Sequence, residues 1–331
     1  MATIGDTYLN IADVYKRTQN NDIADVIEML SETNEMLQDM ITIECNDGTT
    51  HLTTIRTGLP AATFRKLYQG VQPSKSTTRQ VRDSVGMIEA RSQVDEKLVA
   101  LSPNGKKLRL TEATAFLEAM NQTVAERLIY GSTKNSPEEF TGLTPRFNDL
   151  SAENATQIVD AGGTGSDNTS IWFVVWGERT CHALYPRGSR AGIDRSDRGR
   201  VDAFDDQGGK YDALEEVFKW DIGLSVRDWR FIARIANIPV SDMLVGDVDL
   251  YSLMTKAFYR LRQRKVIGGR AAIYCNVDVL ETLDQLATNR GVGDNFIRLR
   301  TTEIEGKEIK TYRGIPVRQV DAILNTEGRV V

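Results

Sequence analysis

Apolar side chains recur at three- and four-residue spacing over residues 111–130, where Phe116, Leu117, Met120, Val124 and Leu128 form one stripe. The spacing predicts an amphipathic helix with Thr111 as N-cap and Gly131 as a left-handed C-terminal residue. At the standard rise such a helix spans roughly 30 Å, enough to serve as the backbone of a domain. A different period holds over 216–236. Phe218, Trp220, Ile222, Leu224 and Val226 alternate with Lys219, Asp221, Ser225 and Arg227, the two-residue repeat of a strand with one buried face. The phase then flips to Trp229, Phe231, Ala233 and Ile235, which predicts a bulge or sharp bend near Arg227-Asp228.

Other elements follow from the same reading. Residues 171–176, IWFVVW, are apolar on both faces and predict a central strand. Helical stripes are expected at 7–17, at 22–30 with Asp22 as cap, and at 248–262. A strand at 271–275, an Asn276 cap and a helix bearing Leu280, Leu283 and Leu286 come next, and 310–320 reads as a closing strand. The segments 136–151 and 160–170 are rich in turn formers. Residues 187–210, polar and rich in Gly, Asp and Arg, read as a mobile or partner-ordered loop.

Residues 49–95 are unusual in being β-prone but thin in large apolar side chains. Arms at about 51–69 and 76–90 flank Gly70-Val71-Gln72-Pro73, as in a long hairpin with a loose tip. An isolated two-stranded ribbon is marginal in water, so this one needs a surface to lean on. Charge bears on which surface. Residues 1–50 hold ten acidic and two basic side chains, whereas 51–110 hold eleven basic and four acidic ones. Such a pairing suits copies packed side by side, each hairpin over its neighbour's acidic segment, or neutralisation within one subunit. The candidate contacts are Arg65, Lys66, Lys75, Arg79 and Arg82 on the hairpin, with Asp22, Asp25, Glu28, Glu32 and Glu35 as acidic counterparts.

Composition adds limits. With 331 residues, 40% hydrophobic and 26% charged, the chain is globular and long enough for two domains or one elaborate one. No apolar run approaches membrane-spanning length, and the first residues lack a secretory pattern. Cys45, Cys181 and Cys275 lie far apart and read as buried, reduced thiols. A net charge of −5 argues against a dedicated nucleic-acid reader.

The search for chemistry finds no site. Gly162-Gly163-Thr164-Gly165 has Asn168 where a dinucleotide loop needs glycine, and it opens a strand, so it reads as a tight turn. Asn104-Gly105-Lys106-Lys107 lacks the other P-loop positions and reads as a turn. His182 adjoins Cys181, but neighbours on a strand face opposite ways. Neither His51 nor His182 sits at metal-ligand spacing. No cofactor or metal is expected.

The order of parts carries a resemblance. An N-terminal arm, a basic hairpin, a long helix, Gly142-Leu143-Thr144-Pro145 and Gly314-Ile315-Pro316-Val317 occur together with TTIRTGLP, GVQPSKSTT, FLEAMNQ, GGTGSDNTSIW, VRDWR, RIANI and a terminal NTEGRVV. The chain resembles the major capsid proteins of tailed double-stranded DNA phages, of Hong Kong 97-like fold, and more closely a short-tailed-phage subfamily. The resemblance implies an α+β fold with an N-terminal arm (1–48) and an E-loop hairpin (49–92). It further implies a P-domain (93–240, with spine helix 111–130 and long strands 211–236) and an A-domain (mainly 241–331, with part of 151–200). In the usual order of that family the last P-domain strands follow the A-domain, so strands at 211–236 imply a permuted connectivity.

The implied function is a non-enzymatic subunit that self-assembles into an icosahedral shell of hexamers and pentamers around the phage genome. Its implied partners are further copies of itself, scaffold, portal and decoration or cement proteins, and packaged double-stranded DNA by non-specific contact, with no membrane. Its implied place is the virion, after assembly in the host cytoplasm. Two alternatives stand beside this: an encapsulin-like compartment, and a cytosolic hydrolase using Asp160 or Asp167.

Overall fold

The computed structural model describes residues 9, 18–19, 22–23, 32–205, 207–261, 269–288, 299–304 and 307–331. In chain order its elements begin with β1 (Thr18–Gln19), β2 (Asp22–Ile23), α1 (Met36–Asp39) and β3 (Thr42–Glu44). The hairpin arms β4 (Thr50–Gly58) and β5 (Thr77–Asp95) lead into α2 (Glu96–Leu101) and the long helix α3 (Gly105–Tyr130). Then come β6 (Ile158–Asp160), β7 (Asn168–Trp176), β8 (Cys181–Tyr185), β9 (Asp194–Phe204), β10 (Lys210–Val226) and β11 (Ile232–Pro239). The chain closes with α4 (Val240–Val245), α5 (Leu250–Arg260), β12 (Arg270–Cys275), α6 (Val277–Thr288), β13 (Arg300–Ile304), β14 (Lys307–Tyr312) and β15 (Ile315–Gln319).

β7 is central, as its apolar run predicts. Val174 is paired with Ile232 of β11 on one edge and with Ala272 of β12 on the other. Alternation then divides its side chains between two cores. Trp172, Val174 and Trp176 pack with Met120, Val124 and Leu128 of α3 and with Phe218, Ile222 and Leu224 of β10. Ile171, Phe173 and Val175 pack with Leu253, Met254 and Ala257 of α5 and with Val279 and Leu283 of α6. The sheet runs β13-β14-β15-β12-β7-β8-β10-β5-β4, with β11, β6, β3 and β9 attached beside this path.

The bend after β10 is present: a short 3₁₀ turn, Trp229–Phe231, is capped by the Asp228 side chain before β11 begins. The Asn276 cap is present too, its Oδ1 accepting from the Val279 N–H at 3.0 Å.

Several expectations need correction. α3 starts six residues before its apolar stripe. The Asn104-Gly105-Lys106-Lys107 segment, read as a turn, is its cap and first turn, with Asn104 Oδ1 accepting from Lys107 N–H at 3.1 Å. Thr111 lies inside the helix and bonds back to the Lys107 carbonyl. Gly131 is not left-handed, at φ −51° and ψ 137°. Glycine is needed for space instead, since a Cβ there would lie 2.5 Å from the Arg127 carbonyl oxygen. The Gly142-Leu143 turn returns to the same place, and the Leu143 N–H donates to the Leu128 carbonyl at the open helix end.

Residues 187–210 are not simply a loop, because 194–204 form β9 against β10. Charge pairs replace apolar alternation there: Arg195 and Arg109 both reach the buried Glu216 at 2.7 Å. The closing strand is two strands, β14 and β15, joined at Arg313 and Gly314, both with positive φ (51° and 81°) as a two-residue hairpin turn requires. Asp22 lies in β2 and not at a helix cap. Ile23 shares β2 with Asp22, and the remainder of the helices expected at 7–17 and 22–30 falls outside the described residues, save Leu9.

Candidate assembly surface

The hairpin is built on one long strand that changes partner. β5 pairs with β10 through 85–95 and with β4 through 77–84. Beyond that exchange its ladder partner among the described residues is β4 alone, and the ribbon carries Thr, Arg and Gln on its faces. The first arm stops at Gly58, not near 69, and residues 59–75 are exposed without exception. Arg65 Nε donates to the Gln69 carbonyl and Ser74 Oγ to that of Ala61, so the tip has some internal bonding.

Five large apolar side chains lie on that tip. Phe64 and Tyr68 are fully exposed, Leu59 and Leu67 more than 80% exposed, and Val71 half exposed. Burying each would contribute about 1.5–3 kcal/mol. Several exposed large apolar side chains within one short segment mark a candidate interaction site.

The charged candidates are placed as follows. Within the chain, Arg79 meets Glu153 at 3.9 Å and Arg82 meets Asp47 at 3.3 Å, both exposed pairs. The latter joins the acidic segment to the basic one inside one subunit. Glu35 lies 3.6 Å from Arg318, and Glu32 accepts from Asn34 Nδ2. Lys66 and Lys75 stand exposed on the tip. Asp22 is in β2, and Asp25 and Glu28 lie outside the described residues. Beside β4 a cleft of about 560 Å³ is lined by Arg56, Arg79, Arg179, Arg227 and Arg230 with Glu153 and Asp228.

The residues tested for chemistry have structural roles. Asp160 Oδ1 accepts from Gly162 N–H and Asn237 Nδ2. Asp167 Oδ2 accepts from Ser241 Oγ at 2.6 Å, and this bond holds its carboxyl below the usual range. All three cysteines are buried and unbridged. Burial pushes the thiol of Cys45 up to about 11 and that of Cys275 to about 12, so neither ionises readily. Among the described residues no cluster of three or more His, Cys, Asp or Glu fits a metal ion.

Two buried polar clusters escaped the sequence reading. In the first, Arg234 donates through Nε to Ser170 Oγ at 3.0 Å, through Nη1 to the Phe147 carbonyl at 2.7 Å, and through Nη2 to Glu327 at 2.8 Å. Its guanidinium also lies 4.9 Å from the centre of the Trp172 ring. Glu327 accepts as well from Ser170 Oγ, and from Tyr130 Oη at 2.6 Å. Burial and that carboxylate push the Tyr130 phenol far above its usual value. The network ties the C-terminal segment to α3, β7 and β11. The second cluster surrounds His51 and His182, at the base of the hairpin.

Solved structures show the class of protein that carries this architecture. A chain of the near-atomic cryo-EM structure of bacteriophage Epsilon15 matches with 40% identity and a TM-score of 0.79, over 100% of this chain and 99% of that one. The bacteriophage JBD30 capsid matches with a TM-score of 0.50 over 89% of this chain and 92% of that one. At 9% identity the second likeness shows the fold alone. No curated protein matches the chain. The fold is the Hong Kong 97-like capsid fold.

A family model described as Major capsid protein GP7 matches residues 18–331, and the chain belongs to that family. It is a structural protein of an icosahedral bacteriophage shell, not an enzyme, and its place is the virion. Of the three readings of the sequence, family membership favours the capsid subunit.

Proposed function

We propose that this subunit builds hexamers and pentamers that enclose double-stranded DNA, and that each hairpin grips an adjacent copy chiefly through its apolar tip. The observation that carries the reading is the exposure of Leu59, Phe64, Leu67 and Tyr68 together at the end of a two-stranded ribbon. A neighbour that covers these side chains supplies both the missing apolar contact and a support for the ribbon. Arg65, Lys66, Lys75, Arg79 and Arg82 then orient the approach, facing acidic groups among Asp22, Asp25, Glu28, Glu32 and Glu35 of the next copy. In this reading residues 1–48 are the N-terminal arm, 49–92 the E-loop, 93–240 mainly P-domain and 241–331 mainly A-domain. The two cores on opposite faces of β7 favour such a division, and the place of β10 and β11 before α5 favours permuted order. Assembly takes place in the host cytoplasm, where scaffold, portal and decoration proteins are the expected additional partners.

The test is a Phe64→Asp/Tyr68→Asp variant. It is expected to melt as the wild-type subunit does but to yield no shells in negative-stain microscopy and light scattering. Normal shells from a folded variant would overturn the reading.

A further inference from the structure

His51 and His182 are distant in sequence but meet where the hairpin leaves the body. His51 lies on β4, opposite Asp83 of β5, one rung from the point where β5 changes partner. His182 lies on β8, opposite Ser225 of β10. Their rings meet edge to face with centroids 5.5 Å apart. Both are closed off from solvent, at 3% and 0% exposure.

The groups around them come from every adjoining element. Arg227, just after β10, brings Nη2 to 3.1 Å from His51 Nε2. Asp83 is engaged by Arg146 at 2.8 Å through one carboxylate oxygen, and its other oxygen is buried without a partner. The un-ionised thiols of Cys45 and Cys181 border the cluster, with Glu44 beside Cys45. Among the described residues, His51 Nδ1, Ser225 Oγ and both ring nitrogens of His182 also lack hydrogen-bond partners. The site therefore sets two arginines against one buried carboxylate, Asp83, which Arg146 already engages through one oxygen. A further positive charge beside Arg227 is only partly offset by the other Asp83 oxygen.

We propose that the His51–His182 contact is an acid-operated latch: neutral rings hold the hairpin root on β8, and protonation beside Arg227 releases it. The direction follows from the environment. Burial, then the Arg227 charge, lowers both rings, with Asp83 opposing, and brings His182 from 6.5 down to about 4. A released His182 takes up a proton near 6.5 and the latched His182 only near 4. The latch is therefore fully closed above about 6.5 and weakens as pH falls toward 4.

Hydrogen exchange of the full-length protein, read by mass spectrometry at pH 7.5 and 5.0 with labelling times matched for intrinsic chemistry, tests this. Peptides covering 49–56 and 79–86 are expected to exchange about tenfold faster or more at the lower pH, while 168–176 stays unchanged. A His51→Gln/His182→Gln variant is expected to lose that acid response. Should it fail to fold, Arg227→Gln, which keeps both rings and removes the opposing cation, is expected to diminish it. Equal protection of the wild-type root at both pH values, or an undiminished response in either variant, overturns the latch. The readout is the root of a single chain, so its failure is distinguishable from failure of the hairpin–neighbour reading.

Discussion

Arg234 and His182 are both fully buried, yet the groups around them are arranged in opposite ways. Arg234 has a carboxylate, a hydroxyl, a carbonyl and an aromatic face, one for each direction its guanidinium can use. His182 has the His51 ring at its edge and no hydrogen bond to either ring nitrogen among the described residues, and the Arg227 charge outweighs that of Asp83. The first cluster joins elements that all lie within the body. The second joins the body to a ribbon that projects from it. A satisfied buried network is costly to open and so suits permanence, whereas an under-satisfied one suits a contact that must give way. The subunit thus combines a locked body with a conditionally held arm.

The most severe way to break that comparison is to unlock the body. Glu327→Ala strips Arg234 of its carboxylate and leaves an uncompensated charge in the interior, at a cost of about 3–5 kcal/mol. Chemical denaturation of the subunit should show this as a large drop in midpoint. Glu327→Gln, which keeps a hydrogen-bond acceptor, should lose less. A midpoint unmoved by Glu327→Ala would mean that the network is not what holds the C-terminal segment in place.

Acid acts on the other cluster. The His182 shift from 6.5 to about 4 corresponds to a stabilisation on the order of 3 kcal/mol at neutral pH, lost as pH falls across that interval. Carboxylates titrate in the lower part of the same window, so the informative quantity is a difference. Wild type and His51→Gln/His182→Gln should diverge in their stability–pH slopes between 6.5 and 4, the wild type falling more steeply. Parallel slopes would remove the distinction between the two clusters.

Neither cluster was legible in the sequence, for a physical reason. Periodicity reports which face of an element is buried, and by that measure β7, β10, α5 and α6 were plain. It does not report which distant element brings a partner, so His51 meeting His182, or Arg234 meeting Glu327, left no local trace. β9 was missed for a related reason: its Arg and Asp side chains look solvated until Glu216 and Asp212 of β10 are set opposite them. The start of α3 was hidden because its first turn offers Lys, Lys and Arg with only Leu108 buried. The hairpin was readable as a ribbon in need of support. Its exposed apolar end was not, since Leu59, Phe64, Leu67, Tyr68 and Val71 are too sparse to register as a pattern in the sequence.

The smallest expected effect concerns the arm's surface charge, and it sharpens the comparison because it touches neither cluster. Arg79 and Glu153 are each about two-thirds exposed, so their contact contributes about 0–1 kcal/mol within the chain. Lys66→Glu with Arg79→Glu should therefore leave the subunit's melting curve nearly where it was. If the basic arm steers one copy onto the acidic segment of the next, the same variant should assemble more slowly, and added salt should narrow the gap by slowing the wild type. Time-resolved light scattering at low and high salt separates the possibilities. Equal rates at low salt would assign the approach to the apolar tip alone. A slower rate that salt erases would assign the charges to encounter and the tip to grip, with the locked body indifferent to both.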